Sequence, residues 1–403
     1  MRILVLTQVV IYPADAGPKV KTLQVVRHLA AQHDVLYCSF VRGEDETRNA
    51  QSLATFCRRI VTVPIQRSRT SDIRYLLESI VTNDSFLLRR DERSAMHEAV
   101  KRLLQEEQVD AIHVDQLNMM RFVPANWQGK VILDEHNAVW QVVERLRKGA
   151  RRGIARLLLG REVRLIRKLE GEACRRATAV LAVSEQDRDA LRAVAGDVVA
   201  IEVVPITVDV AGFEQARRQR APQVGKFFTI GTMFWPPNSE GVLWWLREGY
   251  SSLHHNRPEV VYDIVGARPP RALQVAAEQC PGVQVHGYVA DVKPFWSQAT
   301  ALLVPILSGG GVRVKILEAM ARGVPVISTT IGCEGLAVRD GEHLLIADTP
   351  EACVAACERL MQDQELARQL ADHAYQLVCE RYDAASALNT LNRIYASPVP
   401  LDI

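Results

Sequence analysis

The part of the sequence best suited to chemistry is a glycine run followed at short spacing by two cations and a carboxylate. These residues are Gly309, Gly310, Gly311, Arg313, Lys315 and Glu318. Successive glycines let the backbone approach a ligand closely, and the free amides at the start of a following helix point at it. Such a site suits a diphosphate, to which the two cations would add full charges. The carboxylate, nearly two turns into the helix, could accept hydrogen bonds from sugar hydroxyls.

A simpler interpretation remains open for the same residues. The segment could be an ordinary helix start in which Lys315 and Glu318 form an exposed ion pair worth ~0.2–0.5 kcal/mol. The combination of the glycines, both cations and the carboxylate in one strand-loop-helix-strand unit favours the functional interpretation.

The surrounding residues predict the elements that position this loop. Apolar runs at 301–304 and 324–328 are short and bounded by breakers, as expected of parallel strands covered on both faces. The spacing predicts a helix over residues 312–321, with Ile316 and Met320 on its packed face and the charged residues off it.

The rest of the chain repeats this alternation of short apolar runs and helical patterns, which favours an α/β fold with parallel doubly wound sheets. The predicted strands are 3–6, 35–40, 60–63, 111–114, 131–133 and 180–183, then 227–230, 260–265, 283–286, 301–304, 324–328 and 344–346. Each series suits one Rossmann-like domain. Residues 203–209 and the polar stretch behind them are the predicted boundary.

Composition matches an ordinary globular protein of two or three domains. The chain has 403 residues, 48% hydrophobic and 24% charged, and a formal net charge of +2. We expect no nucleic-acid partner. The eight cysteines form no Cys-x-x-Cys pair and lack metal-ligand spacing, so we expect reduced thiols, a cytosolic protein and no metal site. No apolar stretch is long enough to span a membrane.

Three residues at the predicted carboxyl ends of strands in the first half are further candidates, because ligands of open α/β sheets bind there. Gly17 precedes Pro18, a good first helical residue, and could let the backbone approach a phosphate. Asp115 and His136 follow the fourth and fifth predicted strands. The alternatives are that Gly17 belongs to an ordinary strand-to-helix turn, and that His136 is a buried histidine hydrogen-bonded to backbone groups.

Residues 301–347 resemble the C-terminal signature of glycosyltransferase family 4, the group 1 glycosyltransferases. The matching stretches are Val304-Pro305, Lys315-Ile316-Leu317-Glu318-Ala319-Met320-Ala321-Arg322-Gly323-Val324-Pro325-Val326, Glu334-Gly335-Leu336 and Asp340-Gly341. The family's hallmark is two glutamates separated by seven residues. Glu318 is the second of them and Gly310 stands in place of the first, in a Gly-Gly-Gly-x-Arg-x-Lys loop that resembles a subgroup variant.

The resemblance implies the GT-B fold, in which two Rossmann-like domains face each other across a cleft. It implies an acceptor-side domain at 1–205, a nucleotide-sugar-binding domain at 206–378 and a C-terminal helix, 379–403, that crosses back. Glu318 would bind the nucleotide ribose, the backbone of Val289 would read the base, and Gly17 would contact the donor phosphate or the acceptor. His136 would touch the donor sugar, and Asp115 holds the second position of the family's His-x-His. The arginine and lysine that many members carry after residue 230 are absent, so Arg313 and Lys315 are the evident substitutes.

The expected activity is that of a hexosyl-type glycosyltransferase (EC 2.4). It would transfer a sugar from a nucleotide-diphosphate sugar to an acceptor hydroxyl, without a metal or other cofactor. The resemblance implies retention of configuration and a role in polysaccharide, glycolipid or glycoconjugate synthesis. Two alternatives remain open: a nucleotide-sugar 2-epimerase, and a non-catalytic donor-binding partner of another transferase.

Residues 145–176 form a basic helical stretch with an apolar row, which could lie on an anionic membrane surface or simply be solvated. A lipid-linked acceptor would fit a cytoplasmic protein associated with the inner face of the membrane. Residues 68–93 are expected to be irregular and to border the acceptor site.

Overall fold

The computed structural model describes residues 1–14, 17–150 and 153–397, which form two compact units. The first unit comprises Met1–Ile206 and Leu388–Ile403, and the second comprises Thr207–Ala387. The predicted domain limits were 205/206 and 378/379, so the chain leaves the second unit later than expected. Asp15 and Ala16, which precede Gly17 in the sequence, and Arg151 and Arg152 of the basic stretch lie outside the described residues.

The first unit is built on a parallel sheet with the strand order β3-β2-β1-β4-β5-β6-β7. Its strands are β1 (Arg2–Thr7), β2 (Asp34–Val41), β3 (Arg59–Pro64), β4 (Ala111–Asp115), β5 (Lys130–Asp134), β6 (Ala179–Ala182) and β7 (Ile201–Val203). The alternation in the sequence located β1 to β6 to within two residues. It missed β7, a three-residue strand that carries little pattern of its own.

Helices cover both faces of this sheet, and its apolar core includes residues of β1, β2, β4, β5 and β6. They are α1 (Gly17–Ala30), α2 (Glu44–Gln51), α3 (Arg69–Val81), α4 (Phe86–Arg89), α5 (Ser94–Glu106), α6 (Val139–Gly149), α7 (Ile154–Arg176) and α8 (Glu185–Ala195), with 3₁₀ turns at Ser52–Thr55 and Leu117–Phe122. The expectation of an irregular segment at 68–93 was wrong. Ser68 starts α3 with a reciprocal capping box, a local signal the sequence analysis overlooked.

The second unit repeats the arrangement with the strand order β10-β9-β8-β11-β12-β13. Its strands are β8 (Lys226–Ile230), β9 (Val261–Val265), β10 (Val283–Gly287), β11 (Ala301–Val304), β12 (Val326–Ser328) and β13 (Leu345–Ile346). Its helices are α9 (Val210–Arg218), α10 (Pro236–Trp245), α11 (Ser251–Asn256), α12 (Arg271–Glu278), α13 (Lys293–Gln298), α14 (Val314–Ala321), α15 (Pro350–Gln362), α16 (Gln364–Arg381) and α17 (Ala384–Ala387), with a π-helical segment at Leu246–Tyr250. Two apolar clusters make up its core. Both sheets therefore have the 3-2-1-4-5-6 order of Rossmann-like folds.

The predicted C-terminal helix is interrupted. After α16 and α17 the chain returns to the first unit as α18 (Asn389–Ala396). The break coincides with backbone pairing inside the second unit, where Val208 donates to Tyr382 O at 2.9 Å and Ala384 donates to Val208 O at 3.0 Å. A continuous helix would use these groups internally, so the pairing ends it.

Within the described residues, no helix combines the length and the apolar character needed to cross a membrane.

Candidate active site

The centre of the second sheet is a topological switch point. β8 and β11 are neighbours there, and the chain leaves them in opposite directions along the sheet. The loops that follow them, 231–235 and 305–313, consequently border a crevice at the carboxyl edge, which is where open α/β sheets bind ligands. The predicted glycine run lies in the second of these loops.

The glycine turn is accessible. Gly309 and Gly310 are exposed and Gly311 is half-buried. Gly309 and Gly311 have φ of 94° and 88°, a left-handed conformation that explains why glycine occupies these positions. Arg313 folds back over the turn, and its Nη1 donates to Gly310 O at 2.5 Å.

The helix after this turn starts later than predicted. α14 begins at Val314, because Arg313 is extended (φ −89°, ψ 96°) and serves as its N-cap. The predicted packed face is otherwise correct, since Ile316 and Met320 are buried. The start of α14 retains the unpaired amides that any helix N-terminus offers to an anion.

Lys315 does not point outward as a surface cation. Its Nζ donates to Asn238 Oδ1 at 3.0 Å, and Asn238 in turn donates to Thr232 O at 3.0 Å. A Cβ placed on Gly231 would lie 2.8 Å from the same Nζ. Lys315 thus reaches the loop after β8, where the sequence lacks the usual cations. Burial, with a smaller contribution from the charge of Arg313, lowers the pKa of Lys315 to about 7.

Glu318 pairs with Arg322 at 3.3 Å, and Lys315 with Asn238, so the simple Lys315–Glu318 pair is not observed. Burial raises the pKa of Glu318, although the charge of Arg322 opposes the shift. Arg322 is itself held over the rings of Phe213 and Trp296, at 3.7 and 4.5 Å from their centroids. Arg322 therefore holds the Glu318 carboxylate in a fixed position.

Val289 lies in the loop after β10 and is half-buried. The neighbouring loops are tightly packed: Gly266 donates to Gly287 O at 2.8 Å, and a Cβ on Gly266 would lie only 1.7 Å from Gly231 O. This contact requires glycine at 266 and brings the loops after β8, β9 and β10 together.

In the first unit, two predicted residues meet. Asp115 ends β4, and its Oδ1 lies 2.9 Å from His136 Nε2 just beyond β5. Thr22 of α1 donates to the same Asp115 oxygen at 2.7 Å. His136 is 6% exposed, and its Nδ1 has no hydrogen-bond partner among the described residues. Asp115 thus orients one side of the imidazole, and the nitrogen on the other side is a buried polar atom without a partner among the described residues. Gly17 opens α1, one turn before Thr22, and starts the helix one residue earlier than predicted.

A buried ion pair lies beside this dyad. Lys21 of α1 donates to Asp134 Oδ1 at the end of β5, and both side chains are 1% exposed or less. Burial alone would favour the neutral acid, yet the charge of Lys21, with help from His113, keeps the pKa of Asp134 below its usual value. His113 lies 2.9 Å from the Tyr395 hydroxyl of α18. His113 therefore tethers the returning helix within the first unit.

Sequence analysis missed Lys21, Thr22 and Asn238. Each occupies the first or second turn of a helix that follows the first strand of its sheet. Polar residues at these positions could have been identified from the sequence as site candidates, because the start of such a helix lies at the topological switch point of its sheet.

Two family models match the chain and cover most of it. Residues 17–212 match the model described as "Glycosyltransferase Family 4", and residues 225–363 match "Glycosyl transferases group 1". The chain belongs to the group 1 glycosyltransferases. This glycosyltransferase is also similar to one curated relative, an uncharacterized 44.6 kDa protein in the cps region of Klebsiella pneumoniae, with 22% identity over 169 residues. That match spans 40% of this chain and 44% of the relative.

Solved structures establish the fold of this glycosyltransferase as GT-B. Anabaena Alr3699/HepE, in complex with UDP-glucose, matches with a TM-score of 0.69 and 13% identity over 99% of this chain and 100% of that one. Sucrose-phosphate synthase from Thermosynechococcus elongatus matches with a TM-score of 0.68 and 17% identity over 98% of each chain. Identities this low carry the fold alone.

Proposed function

We propose that this chain transfers a sugar from a nucleotide-diphosphate sugar to an acceptor hydroxyl, with retention of configuration and without a metal. The observation that carries the proposal is the position of Lys315. Its Nζ, held by Asn238, lies against the loop after β8, and the residue itself stands four positions after Gly311 of the exposed glycine turn. The crystallised UDP and UDP-glucose complexes of Alr3699/HepE support a donor of this kind.

The chemical demand is to stabilise the departing diphosphate while the anomeric carbon becomes positively charged. Amides of the glycine turn, together with Arg313 and Lys315, supply preorganised donors opposite the developing charge. The bond from the anomeric carbon to the diphosphate oxygen breaks, and the acceptor oxygen bonds to that carbon. The acceptor's proton passes to the leaving diphosphate, so atoms and charge balance.

The remaining predicted residues receive roles in the same proposal. Glu318, fixed by Arg322, accepts hydrogen bonds from the ribose hydroxyls, and the backbone of Val289 contacts the base. His136, oriented by Asp115, donates from Nδ1 to a hydroxyl of the transferred sugar. The start of α1 at Gly17 contributes amides to a phosphate group.

A screen of nucleoside diphosphates tests the donor proposal. UDP, GDP, ADP and dTDP would each be added to the purified protein in a thermal unfolding assay, and one should stabilise it by ~2.7 kcal/mol at 100 times its Kd. The matching sugar donor is then incubated alone and with candidate acceptors. Acceptor-dependent release of the nucleoside diphosphate supports transfer, while epimerised donor without acceptor supports the epimerase. Absence of stabilisation by all four would contradict the proposal.

We also propose that the first unit lies on an anionic membrane surface. Large apolar side chains of α3, α6 and α7 are exposed, and they form what we call the apolar patch: Ile73, Leu77, Ile80, Val81, Leu146, Ile154 and Leu157. Arg161 of α7 donates to Ser79 O at 2.5 Å, which brings α7 against the end of α3. The helices pack so that these side chains remain in solvent.

The charged side chains around the apolar patch indicate what kind of surface it binds. Exposed basic side chains flank it on the same three helices, namely Arg69, Arg74, Arg145, Lys148, Arg156 and Arg164. Apolar side chains surrounded by arginines and lysines suit the headgroup region of an anionic bilayer. A lipid-linked acceptor and a location at the cytoplasmic face of the membrane are part of this proposal.

Co-flotation with vesicles tests the surface. The protein should float with phosphatidylglycerol-containing vesicles at low salt, and less with phosphatidylcholine alone. Leu77→Ser combined with Leu157→Ser should abolish flotation, whereas the control Val198→Ser, at an exposed apolar residue outside the patch, should not. Failure to float at low salt would refute the proposal.

A further inference from the structure

The second unit has a cavity of about 520 Å³ at the edge of its sheet opposite the glycine turn. Val224, Thr300 and Pro325 line it, and each lies one or two residues before one of the neighbouring strands β8, β11 and β12. Because these strands are parallel, the cavity lies at their amino ends, whereas the candidate active site lies at their carboxyl ends. The volume is in the ~300–1,000 Å³ range of small-molecule sites.

The cavity combines an apolar floor with a basic rim. Pro222, Val224, Pro325 and Leu360 supply apolar surface, and α9 and α16 form the walls. The charged side chains that line it are Arg217, Arg218, Arg220, Arg368, Glu365 and Asp372. Arginines outnumber carboxylates, so the cavity favours an anion.

Both lining carboxylates are already engaged. Asp372 accepts from Arg217 at 2.8 Å, and Glu365 accepts from Arg368 at 2.6 Å. Arg218 pairs with Glu214 along α9. These pairs account for three of the four arginines.

Arg220 is different. Its guanidinium donates to two backbone carbonyls, Gly323 O and, at 2.6 Å, Ala299 O. Its Nε is buried without a partner, and no carboxylate of the described residues lies within 4 Å of its nitrogens. Burial lowers the pKa of Arg220 to about 10. A half-buried cation without a counter-charge is unfavourable, and the two carbonyls hold this one in place.

We propose that the cavity binds a small organic phosphate, with its phosphate at Arg220 and its apolar part against Pro222, Val224 and Leu360. Guanidinium groups recognise phosphate through paired N–H donors, and a preordered arginine loses little freedom on binding. The apolar floor requires a ligand larger than the inorganic ion. The carbonyl of Gly323 that Arg220 contacts lies just beyond the end of α14, the helix that carries Lys315 and Glu318.

Calorimetric titration of the full chain with phenyl phosphate tests the site without any assay of transfer. We expect one binding site, and binding at least about tenfold weaker for inorganic phosphate and for benzoate. Arg220→Gln should weaken phenyl phosphate binding about tenfold or more. Ala367→Trp, which fills the cavity and leaves every arginine in place, should do the same.

Two variants serve as controls. Arg359→Gln removes an exposed arginine of α15 outside the cavity, and Arg313→Ala alters the glycine turn; both should leave phenyl phosphate binding unchanged. No binding at about 5 mM would overturn the proposal. So would binding that survives both cavity variants, binding lost in Arg313→Ala, or equal affinity for benzoate or inorganic phosphate. None of these outcomes bears on the donor screen, so the two proposals fail separately.

Discussion

A buried lysine, Lys21, and a half-buried one, Lys315, illustrate how one neighbouring side chain decides what a residue can do. Lys21 lies against the carboxylate of Asp134, which neutralises it within the fold. Lys315 lies against the amide of Asn238, which accepts a hydrogen bond but brings no charge. Burial therefore lowers the pKa of Lys315 to about 7. A cation left uncompensated beside an exposed turn is available for an anionic ligand, whereas Lys21 is part of the structure.

Arg313→Ala should weaken binding of the nucleoside diphosphate found in the screen, or lower kcat by ~10²–10³, because it removes a preorganised donor from the leaving group. Calorimetry and steady-state kinetics measure the two effects. Arg339→Ala is the matched control, since Arg339 is 72% exposed and paired with Glu342. Kinetics and affinity equal to those of the unaltered protein would show that Arg313 does not bind the diphosphate.

The pH dependence of nucleoside diphosphate binding should reveal Lys315. The lysine is charged below its pKa of about 7 and neutral above it, so affinity should fall as pH rises through that value. Relative to Lys315→Arg, whose charge is fixed, the Kd should increase about tenfold between pH 6 and pH 8. Asn238→Asp should move the change to higher pH, because a carboxylate stabilises the charged lysine. Parallel pH profiles for the unaltered protein and Lys315→Arg would exclude this role.

At the scale of elements, α7 organises the first unit through two buried glutamates. Glu162 accepts from Leu87 N at 3.0 Å at the start of α4, and Glu170 accepts from Val139 N at 2.6 Å at the start of α6. Both glutamates lie in the stretch 145–176, for which the sequence indicated a basic helix at a membrane surface or in solvent. Burial raises the pKa of Glu170 to about 7, and burial together with Glu170 raises that of Glu135 well above its usual value. Neighbouring carboxyls in such a site favour retention of a proton.

The stability of the first unit should consequently decrease as pH rises. A carboxyl whose pKa is raised in the folded state stabilises fully below its unfolded value of 4.5, and this contribution is lost as pH rises through about 7. The loss is on the order of 3 kcal/mol by pH 8. Hydrogen exchange of β4 and β5 at pH 5 and pH 8 measures it. Glu135→Gln should reduce the difference in stability between pH 5 and pH 8, whereas Glu172→Gln, at an exposed residue, should not. The same pH difference in both variants would contradict the prediction.

At the scale of the whole molecule, each unit has its own sheet and its own core, and each sheet has a switch point with polar residues at its carboxyl edge. The chain passes between the units at 206/207 and again at 387/388. Inside the second unit, the segments next to these crossings pair through Val208 and Asp383. In that unit, one edge of the sheet carries the glycine turn and the other the arginine-lined cavity.

Hydrogen exchange with and without the nucleoside diphosphate should map this division. Binding at the glycine turn should slow exchange in residues 231–238 and 309–318, because their amides become hydrogen-bonded or shielded. Residues 217–224, at the cavity, should be unaffected. Arg313→Ala serves as the reference, since it should reduce the protection without altering the exchange of the free protein elsewhere. Protection of residues 217–224 instead of 309–318 would show that the nucleotide binds at the cavity, and it would contradict binding at the glycine turn.

The sequence by itself determined all the strands except β7, the Rossmann-like repetition and the glycine turn with its cations, because apolar periodicity and glycine conformation are local properties. Tertiary structure decided which polar groups meet. Lys21 and Asp134 are 113 residues apart, and Lys315 and Asn238 are 77 apart, so no local spacing relates them. The start of α14 and the break before α18 were likewise set by contacts of Arg313 and of Tyr382 and Ala384. A buried charge needs a partner, and only the folded chain shows whether that partner is a carboxylate, an amide or a ligand.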